Sequence, residues 1–118
     1  MRILLTTFLI ATSLSVNAKA ISCNSELERY KTPGIGFINI CRDNKQEISF
    51  RATSFGNRGH TCNARGKASL KGNQYIFKKR SCTISFELKD NKLNATYDNC
   101  WRGFCGMDAT WNDGTFSK

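Results

Sequence analysis

His60-Thr61-Cys62-Asn63-Ala64-Arg65-Gly66-Lys67-Ala68-Ser69-Leu70-Lys71 is the most regular stretch of the 118-residue chain. Its even positions are mostly small or apolar and its odd positions polar or basic, the two-residue period of a strand with one face in a core. Gly72-Asn73 follows as a two-residue hairpin signal. Pairing outward from it sets Lys71 against Gln74, Leu70 against Tyr75, Ala68 against Phe77, Lys67 against Lys78 and Arg65 against Arg80. Large aromatics then meet small residues on the inner face, and Arg65, Lys67, Lys78 and Arg80 stack on the outer one.

Downstream, residues 83–89 alternate from Ile84, Asp90-Asn91 turns, and Leu93, Ala95 and Tyr97 return opposite Leu88, Phe86 and Ile84. Upstream, Ile48, Phe50 and Ala52 alternate with polar residues over 47–55, and Thr32-Pro33-Gly34 turns into 35–41, whose Ile35, Phe37, Ile38 and Ile40 suit a strand buried on both sides. Residues 25–30 have room for one helical turn at most. Met107, Ala109 and Trp111 alternate into an Asp113-Gly114 turn before Phe116. No segment has a 3.6-residue period. About seven strands predict an all-β domain, a small antiparallel sandwich or barrel.

Residues 1–20 read as a secretory signal, with Arg2, a short apolar run and an Ala18-Lys19-Ala20 cleavage site; cleavage after Ala18 is the close alternative. The run is too short and polar to remain as a membrane anchor. Eighteen basic and nine acidic residues give the chain +9. Loss of Arg2 and Lys19 leaves residues 21–118 at +7, one domain in a periplasmic or secreted setting. Six cysteines, Cys23, Cys41, Cys62, Cys82, Cys100 and Cys105, make three disulfides without remainder, an argument against acylation of Cys23. Neighbouring strands suggest Cys62 with Cys82, given a bulge at 79–81, Cys100 with Cys105, and Cys23 with Cys41, among fifteen possible connectivities.

Catalytic signals are weak, so the expectation is a binding protein without cofactor, metal or catalytic residues. Cys100-x4-Cys105 has the spacing of half a zinc site but lacks the other half. His60 is the only imidazole; its parity suits a hydrogen-bonded sheet-edge residue better than an acid or base, and a hydrolase or toxin acting through it is the weakest alternative. A glycosidase needs two carboxylates across a cleft. Asp43, Asp90 and Asp113 lie in turns and Glu47 and Glu87 on outer faces, which leaves Asp98 and Asp108. No serine lies in a G-x-S-x-G elbow.

The basic residues carry more. Arg65, Lys67, Lys71, Lys78 and Arg80 cluster on one hairpin, where facing like charges cost stability unless an anionic partner compensates. The competing reading is an edge hairpin kept from sheet-to-sheet association by its lysines. Trp101, Arg102 and Phe104 form either an interface anchor or a lid over the barrel end.

His60-x-Cys62, Gly66-x-Ala68, Tyr75-x-Phe77, Cys82, Cys100 and Cys105-Gly106-x-x-Ala109-x-Trp111-x-x-Gly114-x-Phe116 together resemble small exported proteobacterial proteins grouped with periplasmic lysozyme inhibitors. The likeness covers residues 60–116 and rests on scaffold positions. It implies an inhibitor or immunity protein against a cell-wall hydrolase, without identifying inhibitory residues. A basic C-type lysozyme would be repelled, so the expected partner is an acidic hydrolase. The rival expectation is a cationic secreted protein that binds lipopolysaccharide or nucleic acid.

Overall fold

A computed structural model describes residues 23, 25–56, 59–100, 104–106 and 109–118. The expected signal peptide, Trp101, Arg102, Met107 and Asp108 lie outside the described residues. Eight strands follow in order: β1 (Glu28–Thr32), β2 (Gly36–Arg42), β3 (Glu47–Phe55), β4 (Thr61–Lys71), β5 (Gln74–Lys79), β6 (Cys82–Lys89), β7 (Lys92–Asp98) and β8 (Gly114–Ser117). Each pairs antiparallel with its sequence neighbour, and β8 returns to β1, giving a closed antiparallel barrel. Closure gives both β1 and β8, the first and last strands, a partner on each side. The closing seam is narrow: Lys31 pairs with Ser117, and the Thr32 hydroxyl donates to the Thr115 carbonyl at 2.7 Å.

The two-residue period supplies the core. Ile38, Ile40, Ile48, Phe50, Ala52, Ile84, Phe86 and Leu93 point inward and are buried. Phe50 sits among them, edge-on to Phe77 at 5.1 Å and to Phe86 at 4.9 Å between ring centroids. An eight-stranded barrel is just wide enough to be filled by such side chains.

Several expectations are corrected. The segment read as a helical turn runs into β1, whose Glu28 faces inward and pairs with Arg42, so its alternation is hidden in the sequence. β2 is buried on one face: Ile38 and Ile40 are enclosed, Phe37 is only part-buried and Ile35 lies exposed in the preceding turn. Gly114 begins β8 rather than making the turn. Ladder pairing between β4 and β5 follows the expected register for Ser69–Ile76, Leu70–Tyr75 and Lys71–Gln74, then ends. The inferred pairs Ala68–Phe77, Lys67–Lys78 and Arg65–Arg80 therefore do not form. Phe77 instead covers Gly66, where an added Cβ would stand 2.6 Å from its ring.

The split in that hairpin also moves the disulfides. Cys23–Cys41 is as inferred, but Cys62 bonds Cys105 and Cys82 bonds Cys100, in place of Cys62–Cys82 and Cys100–Cys105. Residues 104–106 lie along the start of β4, where the Asn63 N–H donates to the Phe104 carbonyl at 2.8 Å and the Gly106 N–H to the Thr61 carbonyl at 3.0 Å. Cys82 reaches the core without a bulge, because Lys79 pairs with Cys82 across a tight Arg80-Ser81 turn in which Arg80 has φ 57°.

Candidate functional site

Register assembles a basic row that no single strand contains. Arg29 of β1 pairs with Asn39 of β2, Asn39 with Arg51 of β3, and Arg51 with Arg65 of β4, all on the outer face. Strands lie about 4.8 Å apart, so Arg51 stands beside Arg65 and Arg29 roughly 10 Å beyond Arg51. The Leu70 N–H donates to the Gln46 carbonyl at 2.7 Å, which makes the even residues of the β3–β4 ladder the hydrogen-bonded ones. Arg51–Arg65 is then a non-hydrogen-bonded pair, where facing side chains approach most closely. The like-charge pairs expected across β4–β5 do not form, and two arginines face each other across β3–β4 instead.

The other predicted residues are dispersed. Lys67 faces Ser49, and its ammonium donates to the Asp43 carboxylate at 3.0 Å and to the Ser49 hydroxyl at 3.2 Å. Ser49 donates to the same carboxylate at 2.6 Å, and these two bonds, Ser49's first, hold Asp43 below the ordinary aspartate range. Asp43, read from sequence as a turn residue, thus neutralises Lys67. Lys71 sits at the β4–β5 tip, Lys78 opposite Thr83 and Arg80 in the β5–β6 turn. Phe104 packs against the core with the Lys79 ammonium 5.8 Å from its ring centroid.

The two barrel ends differ in chemistry. At the end carrying Cys62–Cys105 and Cys82–Cys100, Trp111 stacks on Tyr97 at 4.4 Å and its indole N–H donates to the Cys100 carbonyl at 2.9 Å. Burial pushes the Tyr97 phenol well above its ordinary pKa. His60 precedes β4 at this end, part-exposed and close to Gly106, and its carbonyl accepts from the Gly56 N–H at 2.8 Å.

At the opposite end Arg42 makes two bonds to Glu28, at 2.6 and 3.1 Å, while the Tyr30 hydroxyl donates to Glu28 at 2.7 Å. Lys118 stands 3.7 Å from the same carboxylate and 5.9 Å from the centre of the Tyr30 ring. A cavity of about 270 Å³ opens beside them, walled also by Leu88 and the β6–β7 turn. The bond from Arg42 holds Glu28 below its ordinary pKa, and burial followed by the bond to Glu28 pushes Tyr30 up to about 12. Every polar group of this triad already has a partner, which suits a structural plug.

All six cysteines are oxidised, so none presents a thiolate to a metal. Among the described residues, no three His, Cys, Asp or Glu side chains converge as a metal site, and no helix is long and apolar enough to cross a membrane. Comparison of the chain with protein-family models, curated proteins and solved structures finds no match in any of the three.

Proposed function

We propose that this is an exported binding protein, an inhibitor or immunity protein whose outer β1–β4 face docks on an acidic cell-wall hydrolase. The observation that carries the reading is the Arg29–Asn39–Arg51–Arg65 row, three guanidiniums on a rigid sheet. Guanidinium forks suit carboxylates, and glycan hydrolases carry paired carboxylates in an open cleft. A barrel face positions such groups without the entropy cost of ordering a loop. Three disulfides fit an oxidising compartment.

Affinity capture with oxidised residues 21–118 from periplasmic and secreted fractions tests it, at about 0.3 M salt, where the Debye length is roughly 5–6 Å. The expected result is one stoichiometric hydrolase, inhibited by the wild type and lost from a capture with Arg29→Gln, Arg51→Gln and Arg65→Gln combined. Recovery of nucleic acid or lipopolysaccharide alone, released as salt rises, would overturn it in favour of a binder of anionic polymers.

A further inference from the structure

One part of the outer surface is apolar, and the hydrolase reading does not account for it. Among the described residues, Ile35 and Phe55 are the exposed large hydrophobic ones, at 36% and 41% exposure, and they occupy one corner of the barrel. The Phe55 N–H donates to the Ile35 carbonyl at 2.9 Å, and the Phe55 ring meets Phe37 edge-on at 6.1 Å. Both elements under this corner are stiff. The Ile35 N–H closes the Thr32–Ile35 turn on the Thr32 carbonyl at 3.0 Å, with Pro33 and positive-φ Gly34 at its centre. Gly36 lies so close to β3 that an added Cβ would stand 2.2 Å from the Thr53 carbonyl oxygen.

Cations border the corner. Lys31 is exposed and pairs with Phe37 across β1–β2, and Arg29 lies two residues further along the same outer face, roughly 7 Å away. The corner is thus a small, rigid apolar wedge with basic residues on one flank. A flat acidic protein surface offers such a wedge no apolar seat. A leaflet of anionic phospholipid offers both an apolar seat below the headgroups and phosphates at the level of the cations.

We infer that the Ile35–Phe37–Phe55 corner, with Lys31 and Arg29, is a docking site for the phosphates and upper acyl region of an anionic phospholipid leaflet. The apolar side chains enter the boundary between headgroup and acyl chain, while the two cations contact phosphate. This binding is peripheral and reversible. It stands apart from the hydrolase reading, since a leaflet-docked barrel needs no enzyme partner.

Co-sedimentation of oxidised residues 21–118 with vesicles tests it, comparing phosphatidylglycerol mixed equally with phosphatidylcholine against phosphatidylcholine alone, at about 0.15 M salt. Binding is expected to the mixed vesicles only. Ile35→Ser with Phe55→Ser should weaken it at least tenfold, and Lys31→Ala should weaken it about fivefold. Both serine positions are exposed and keep their backbone bond, and an unchanged near-ultraviolet circular dichroism spectrum will verify the fold. No binding to the mixed vesicles overturns the inference. So does equal binding by the serine variant, which would mean adsorption by charge alone. A hydrolase capture that depends on Phe55 without any vesicle binding also overturns it, whereas loss of the hydrolase from the arginine variant bears only on the hydrolase reading.

Discussion

The Phe77 ring occupies the space a side chain at Gly66 would need: a Cβ there would lie 2.6 Å from Cε1 and 3.1 Å from Cδ1. Phe77 is pinned in turn against Phe50, so the ring has little room to retreat. Gly66→Ala should therefore destabilise the barrel by about 1–3 kcal/mol through overpacking. For a domain of this size each kcal/mol lowers Tm by about 4–8 °C. Phe77→Leu shortens the obstructing side chain, so thermal unfolding of the double variant should show less loss than the two single losses added. Strict additivity would place the ring elsewhere.

The same ring contact accompanies the opening between β4 and β5, and the disulfide pairing depends on that opening. Non-reducing peptide mapping should return Cys23 with Cys41, Cys62 with Cys105 and Cys82 with Cys100. Removing each bridge as a Cys→Ala pair should rank them by the loop each closes. Cys62–Cys105 spans 43 residues and Cys82–Cys100 spans 18. Chain entropy then gives losses of about 4 and about 3 kcal/mol, measurable by denaturant unfolding. A linked Cys62–Cys82 peptide would restore the continuous hairpin and refute the split.

Which of these features the sequence disclosed follows from how local they are. The β6–β7 register, Ile84–Tyr97, Phe86–Ala95 and Leu88–Leu93, was readable because alternation and a turn with both Asp90 and Asn91 at positive φ agree within a few residues. β3 was readable for the same reason. β1 was not, because Glu28 and Tyr30 form its inner face with Arg42, and a charged residue pointing inward breaks the pattern that marks a strand. The arginine row was hidden differently: Arg29, Arg51 and Arg65 are far apart in the chain and meet only through three interstrand registers. The Arg65–Arg80 and Lys67–Lys78 pairs failed because hairpin extrapolation ignores the barrel's need to separate β4 from β5.

The Glu28–Tyr30–Arg42 cluster should give stability a signature at both ends of the pH range. Its bond to Arg42 keeps the Glu28 pKa below the ordinary value of 4.5 in the folded state. The unfolded chain therefore takes up protons first, and the stabilisation present above about pH 4.5 is lost as pH falls through the folded pKa. Glu28→Gln should lower Tm at pH 7 and leave it near that of the wild type at pH 2, flattening the acid limb. Tyr30 behaves oppositely: its pKa rises from 10 to about 12, so its contribution is complete below pH 10 and lost as pH rises towards 12. Ultraviolet titration of Tyr30→Phe should lack the phenolate step near pH 12. A Tyr30 that ionises near 10 would contradict its burial and its bond to Glu28.

All four cations lie on the outer face of one sheet, but Lys67 lies off the arginine line and beside the Asp43 carboxylate. Lys67 already gives two of its three donors to Asp43 and Ser49, and an anion that approached it would also meet the Asp43 carboxylate. Arg29, Arg51 and Arg65 form one line across β1–β4 on which a single anionic surface can rest. Immobilised heparin serves as a simple polyanion for ranking these positions. Substituting Arg29, Arg51 or Arg65 singly by Gln should lower the salt needed for elution and reduce the log-affinity against log-salt slope by about one each. Lys67→Gln should move elution less than any of the three, because it stands off the arginine line and an anion that reaches it also meets the Asp43 carboxylate. If Lys67, Lys78 and Arg80 dominated instead, the anion-binding surface would be the β4–β6 side of the barrel, and the arginine row would have lost its claim to be the docking face.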